Sequence, residues 1–139
     1  MTKIMLQKEQ LLLLLSAIGL TPIALSYGFN PLLSLGYLFN INVESVNATH
    51  IFRAVMGLYF SHLIFWLTGA FVKYLRQIAL ITLAMFMLGL AAGRAISFII
   101  DGQPNWLLIL YFILECSLGL AAVYCIQLNN KNNCPSIST

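Results

Sequence analysis

The sequence predicts an all-α membrane protein, an antiparallel four-helix transmembrane bundle with a short interfacial segment between helices one and two. Of its 139 residues, 60% are hydrophobic and 8% are charged, and the mean hydropathy is +0.90. A soluble domain carries about a quarter charged residues. The apolar residues fall into four runs, each close to the roughly 20 residues that a helix needs to cross a membrane. We therefore expect one domain over residues 1–139, embedded in the lipid bilayer.

The first predicted span covers residues 10–28 and follows a start that carries Lys3 and Lys8. A basic start before a leucine-rich core also describes a secretory signal peptide, and residues 24–26 offer a small-residue cleavage site. The core is long for a signal peptide, so a retained helix is the preferred interpretation. Pro22 is expected to kink this helix, which membrane helices tolerate.

The segment between helices one and two is too short to cross a membrane. Residues 32–39 are mostly apolar and aromatic, with Asn, Pro and Gly around them. This length and composition are typical of a segment that lies in the membrane interface or re-enters the membrane. Ser45 or Asn47 is expected to cap helix two, although Asn47 also begins an N-glycosylation acceptor pattern.

Three further spans are predicted at residues 48–72, 77–100 and 104–127. Their connections are short, which implies that consecutive helices are antiparallel neighbours. Pro104 suits the first position of helix four. Residues 128–139 are predicted to be a polar cytoplasmic tail.

The basic residues predict the orientation of the bundle. The cations outside the spans lie at the N-terminus, between helices two and three, and in the tail: Lys3, Lys8, Lys73, Arg76 and Lys131. The other two connections carry Glu44 and Asp101. Because Lys and Arg accumulate on the cytoplasmic side, both termini are predicted to be cytoplasmic. The net charge of +3 forms no basic patch, which argues against nucleic acid as a partner.

Three spans each contain one charged residue: Arg53, Arg94 and Glu115. Such residues are functional candidates because each costs about 3 kcal/mol or more at the bilayer centre. His50 shares the face of Arg53, and Asp101 lies on nearly the same face as Arg94. We predict a polar cluster of these five residues, in which Glu115 pairs with Arg94 or Arg53. In the simpler alternative, the arginines reach the headgroups and one Arg–Glu pair only sets the helix register.

Small residues predict the faces on which the helices pack, because they let membrane helices approach closely. They lie on helices two, three and four: Gly57, Ser61, Gly89, Gly93 and Gly119. The larger aromatic residues are interpreted as interfacial anchors or packing residues: Trp66, Trp106, Tyr74 and Tyr111.

No catalytic motif is found, so enzymatic activity is left open and no catalytic residue is predicted. His50 and His62 lie about 120° apart on helix two and cannot share a metal. Cys116 and Cys125 lie on opposite sides of one helix, and Cys134 lies in the tail, so no disulfide framework is predicted. We predict neither a metal nor a cofactor.

Several of these residues occur in an order that resembles the domain of unknown function 4345 family, small four-helix bacterial membrane proteins similar in layout to DoxX-like proteins. The carriers are Arg53 with residues 56–59, Arg94 after Gly93, Asp101 before Gly102, and Glu115. The bulkier Ser61 and His62 depart from the small residues expected there. The resemblance covers most of the chain and implies a four-helix fold in a bacterial inner membrane, without an established activity.

Two classes of function remain. In the first, the protein is a non-enzymatic membrane module whose Arg/Glu cluster binds a lipophilic small molecule or a membrane partner protein. In the second, implied by the likeness to DoxX-like proteins, it is an accessory subunit of membrane redox chemistry linked to quinones. The first is favoured because the sequence contains no haem, flavin or cysteine-pair motif.

Overall fold

The computed structural model describes residues 7–133, which form helices and short connections without any strand. The elements follow in the order α1 (Lys8–Gly28), α2 (Pro31–Phe39), α3 (Val46–Phe71), a 3₁₀ turn (Lys73–Leu75), α4 (Arg76–Ile100) and α5 (Trp106–Asn133). Four of these helices are long and apolar enough to cross a membrane. The predicted all-α membrane bundle is confirmed, and the chain is a multi-pass membrane protein.

The long helices run antiparallel to their neighbours. Gln10, at the start of α1, donates from Nε2 to the carbonyl of Ala70, at the end of α3, over 2.9 Å. Asn129, at the end of α5, donates from Nδ2 to Oε1 of Gln77, at the start of α4, over 3.2 Å. The tightest packing is between α1 and α3 and between α4 and α5, and α3 also contacts α4. Residues 7 and 133 therefore lie at the same end of the bundle.

The core of the bundle is built from large apolar faces. On α3 the buried residues lie on one face at helical spacing: Tyr59, Leu63, Trp66, Gly69 and Ala70. Trp66 is fully buried and is thus a packing residue rather than an interfacial anchor, whereas Trp106 and Tyr74 are exposed near helix ends. Burial of an aromatic ring removes a larger area than burial of a small side chain, so this stripe decides which face of α3 turns inward.

The short segment between the first two spans is the helix α2. Pro31 occupies its first turn, and Asn30 caps it by accepting a hydrogen bond from the Leu33 N–H over 3.4 Å. Leu35 and Phe39 are buried against the bundle, while Leu32, Leu33 and Tyr37 on the other side are exposed. This helix therefore has apolar residues on both faces, one directed at the protein and one away from it.

The observed N-caps of α3 and α5 can be compared with the helix starts that the sequence predicts. Ser45 caps α3, since its Oγ accepts from the Ala48 N–H over 3.0 Å, so the cap is Ser45 and not Asn47. α5 begins at Trp106 rather than at Pro104, because Asn105 Oδ1 accepts from the Leu107 N–H over 3.0 Å.

α5 also continues to Asn133 instead of ending near residue 127. The first part of the predicted polar tail is therefore helical, because polar residues without Gly or Pro do not interrupt a helix. Residues 134–139, including Cys134, lie outside the described residues.

Candidate functional site

The central polar feature is an ion pair between Arg94 on α4 and Glu115 on α5. Arg94 Nε lies 3.0 Å from Glu115 Oε1 and 2.8 Å from Oε2, so one N–H donates to both oxygens of the carboxylate. Glu115 is 8% exposed. It lies nine residues after the start of α5, or about 14 Å along the helix, near the middle of a hydrocarbon core of roughly 30 Å. The carboxylate is therefore neutralised by a guanidinium deep inside the bundle.

Gly119 allows α4 and α5 to approach closely enough for this pair. A Cβ added at Gly119 would lie 2.7 Å from two side-chain carbons of Leu88. Because Gly119 has no side chain, Leu88 of α4 can pack against α5 at this position. Gly119 lies one helical turn after Glu115. Of the four predicted packing glycines, Gly119 is the one at which the described residues show a close contact between helices.

Aromatic rings surround the ion pair. The Tyr111 ring lies under the Arg94 guanidinium, with Cζ 5.7 Å from the ring centroid, a distance suited to a cation–π contact. Tyr27 on α1 packs edge-to-face against Tyr59 on α3, with 5.6 Å between the ring centroids. Phe39 on α2 packs edge-to-face against Tyr111, with 6.3 Å between the centroids. All five helices thus contribute to the surroundings of the pair.

A cavity of about 210 Å³ opens beside Glu115, between α1 and α5. Its walls are mainly aliphatic, with Leu15 and Ile23 on α1 and Leu114 and Leu118 on α5. α1 and α5 contact each other much less than α1 and α3 do, which leaves this side of the bundle less tightly packed. A designed apolar cavity of about 150 Å³ is large enough to hold benzene. The cavity can therefore hold a ring or a short length of alkyl chain.

The second polar group in the cavity is Ser16 on α1. Ser16 is fully buried, and its Oγ has no hydrogen-bond partner among the described residues. A buried polar atom without a partner costs about 1–3 kcal/mol. Ser16 and Glu115 both line the cavity, so its apolar wall carries two polar groups that a ligand could bind.

The other residues of the predicted polar cluster form no hydrogen bond or ion pair with Arg94 or Glu115 within residues 7–133, although Asp101 lines a cavity together with Arg94. His50 and Arg53 are exposed on α3, and Arg53 forms no ion pair within residues 7–133. Asp101 is exposed at the end of α4 and accepts a hydrogen bond from Ser97 Oγ. Of the five candidates, the structure brings together Arg94 and Glu115. Arg53 points elsewhere because α3 turns its aromatic stripe inward, about 120° away around the helix.

Four predicted packing positions correspondingly face open space. A Cβ added at Gly57, Gly89 or Gly93 would meet no atom within 4 Å in the described part of the chain, and Ser61 is exposed. The described residues therefore show no close helix contact at these three glycines. The close contacts involve other glycines instead: Gly28 meets Met56, and Gly69 meets Ala79.

Sequence reasoning did not identify Ser16 or the tyrosines Tyr27 and Tyr59. A signal for Ser16 was present, because the buried face of α1 recurs at helical spacing and is rich in small residues: Leu13, Ser16, Ala17, Leu20, Ala24 and Gly28. The tyrosines carry no such signal, because the helical period does not show which aromatic side chains meet across helices. Their proximity to the ion pair depends on how the helices pack.

The chemistry of the site is that of a neutral polar group in an apolar wall. Among the residues that the structure describes, no three His, Cys, Asp or Glu side chains come together to hold a metal ion. The Arg94–Glu115 pair has no net charge, and a carboxylate has about four acceptor positions, of which Arg94 occupies two. Glu115 can therefore still accept hydrogen bonds from a molecule in the cavity.

Comparison with known proteins adds the family. The family described as domain of unknown function (DUF4345) matches residues 9–126, which contain most of each of the four spans, together with Arg94 and Glu115. No curated protein and no solved structure matches the chain. Because the match covers most of its length, the chain belongs to the DUF4345 family.

Proposed function

We propose that this protein binds a lipophilic molecule in the cavity between α1 and α5, with Glu115 and Ser16 contacting the polar head of that molecule. The observation that carries the proposal is the fully buried Ser16 Oγ, which has no partner within residues 7–133 and lies in the same apolar cavity as Glu115. A ligand would supply the missing hydrogen bond. The protein would act as a membrane binding module, and the Arg94–Glu115 pair would be its recognition element.

The residues favour a head group that is uncharged and carries a hydroxyl or amide. Glu115 can only accept hydrogen bonds while it is ionised, so the head must donate. The Ser16 hydroxyl can both donate and accept. Arg94 already neutralises Glu115, so a charged head would lack a counter-ion in a low-dielectric site.

We further propose that the protein lies in a bacterial inner membrane with both termini in the cytoplasm. Lys8 and Lys73 lie at the end of the bundle where residues 7 and 133 lie, while Glu44 and Asp101 belong to connections at the other end. This distribution is that of a membrane protein with its basic end inside. The ligand cavity would open towards lipid rather than towards water.

The test uses a variant that fills the cavity without disturbing the helix contacts. Gly19 lines the cavity, and a Cβ there would meet no atom within 4 Å. Gly19→Leu should therefore fold and occupy the binding volume. Gly57→Leu is the matched control, because Gly57 has equally open surroundings on α3 and does not line the cavity.

The probe is a long-chain alcohol carrying a diazirine, and the readout is mass spectrometry of the labelled peptides. We expect labelling of α1 and α5 around the cavity, several-fold less in Gly19→Leu and unchanged in Gly57→Leu. Ser16→Ala should weaken labelling by the alcohol more than labelling by a diazirine alkane of equal length. Equal labelling of all variants would overturn the proposal.

Mass spectrometry of molecules extracted from the purified protein separates the two functional classes. A quinone that is retained by the wild type and lost from Gly19→Leu would assign the cavity to redox chemistry. A neutral lipid with the same behaviour would assign it to a lipid-binding module.

A further inference from the structure

A second and larger cavity lies at the end of the bundle that holds residues 7 and 133. It has a volume of about 670 Å³ and is bounded by the start of α1, the start of α4 and the end of α5. We call it the basic-end cavity. It shares no lining residue with the cavity beside Glu115.

Cations dominate the charge of the basic-end cavity. Lys8, Lys73 and Arg76 line it together with one carboxylate, Glu9, which leaves a net charge of +2. Lys8 and Lys73 form no ion pair within residues 7–133. The side-chain amides in its wall add further donors: Gln7, Gln77, Asn129 and Asn130.

Arg76 lines this cavity, and its guanidinium is only partly hydrogen-bonded within residues 7–133. Its Nη1 donates to Gln7 Oε1, and its Nη2 donates to the Ala70 carbonyl over 3.2 Å. Its Nε is buried and has no partner among the described residues. These contacts fix the position of the guanidinium and leave one buried N–H to donate.

The depth of the cavity indicates which anion is available. The apolar run of α1 begins at Leu11, one turn after Lys8, so the cations lie at the edge of the hydrocarbon core. Lipid headgroups occupy this level, and basic pockets between transmembrane helices bind anionic ones. Leu128 also lines the cavity and offers apolar surface for the start of an acyl chain. The volume lies within the range of small-molecule sites.

We propose that the basic-end cavity binds the phosphate headgroup of an anionic phospholipid, with Lys8, Lys73 and Arg76 contacting the phosphate. Scattered cations that only orient the protein would be interchangeable. In a specific binding site, the cations that line the cavity instead contribute more to lipid binding than a neighbouring cation outside it. Lys131 is such a neighbour, because it is exposed near the end of α5 and does not line the cavity.

The experiment compares Lys73→Gln with Lys131→Gln in nanodiscs of phosphatidylcholine mixed with phosphatidylglycerol. Both lysines are exposed and make no ion pair in the described part of the chain, so both variants should fold. Native mass spectrometry counts the lipids that stay bound. We expect the wild type to retain phosphatidylglycerol over phosphatidylcholine, and Lys73→Gln to lower that retention about fivefold, because it removes a cation that lines the cavity and contacts the phosphate. Lys131→Gln should change it by less than about twofold.

Three results would overturn this proposal. They are equal losses in the two variants, no preference for phosphatidylglycerol in the wild type, and a thermal stabilisation in detergent by inorganic phosphate that matches the stabilisation by phosphatidylglycerol. The last result would assign the cavity to free phosphate.

Discussion

At the scale of single residues, the ion pair between Arg94 and Glu115 is the contact between charged side chains that the structure places inside the bundle, within residues 7–133. Both side chains are largely shielded, with 17% and 10% of their surface exposed. A lone carboxylate or guanidinium at this depth would cost several kcal/mol, and contact between them offsets much of that cost. Removal of one partner should therefore be more harmful than removal of both.

We expect Glu115→Gln to destabilise the protein by about 3 kcal/mol, because it leaves the Arg94 guanidinium buried without a counter-ion. The double variant with Arg94→Gln should recover part of this loss. Thermal unfolding in detergent of the single and double variants measures the coupling free energy.

Arg53→Gln is the matched control for this cycle. Arg53 is exposed and forms no ion pair within residues 7–133, so its loss should change stability by less than about 0.5 kcal/mol and add to the effect of Glu115→Gln. Additive effects of Arg94→Gln and Glu115→Gln would contradict the pairing.

Sequence reasoning could predict that Glu115 needs a cation, but it could not choose between Arg53 and Arg94. The helical period relates residues on one helix. Which face of that helix meets its neighbour depends on packing, and α3 turns Tyr59 and Trp66 inward instead of its small-residue face. Ser16 was missed for a related reason, since its missing partner becomes visible only after α1 is packed.

At the scale of helices, contact is made by particular glycines rather than by small-residue motifs in general. Gly69 on α3 is buried against Ala79 on α4, and no space for a side chain exists between them. Gly93 belongs to a small-residue motif on α4 and yet faces open space. A motif of spaced glycines predicts the capacity for close approach and not the contact itself.

We expect Gly69→Ala to destabilise the bundle by about 1–3 kcal/mol, because the new methyl group would overlap Ala79 and push α3 and α4 apart. Gly93→Ala should leave stability unchanged or raise it by up to about 1 kcal/mol, because alanine restricts the unfolded chain. Thermal unfolding of the two variants in the same detergent provides the comparison. A loss at Gly93 equal to that at Gly69 would mean that Gly93 also faces a contact, such as a second protein.

At the scale of the whole molecule, the bundle consists of two tight pairs joined on one side. α1 packs with α3 and α4 packs with α5, and the pairs meet mainly through α3 and α4. The opposite side, between α1 and α5, is therefore where the cavity beside Glu115 opens. Sequence patterns predict the four spans because hydropathy and length decide them, whereas this uneven packing depends on side-chain shapes that no single span reveals.

The arrangement also leads to a topology that can be tested on the full chain. Four spans bring residues 7 and 133 to one side, and Lys8, Lys73 and Lys131 lie at that end, so we expect that side to be cytoplasmic. A reporter that works only in the cytoplasm should be active when it is fused at the C-terminus or inserted after Tyr74. A reporter that works only outside the cytoplasm should be active when it is inserted after Asn42. The double variant Lys73→Glu/Arg76→Glu tests whether these cations set the orientation. It should increase the fraction of molecules inserted in the opposite orientation without shortening any span. A C-terminal reporter active outside the cell would contradict the four-span topology. Cleavage of the mature protein near Ser26 would also contradict it, because α1 then would not stay in the bundle, where Ala24 is fully buried in the core.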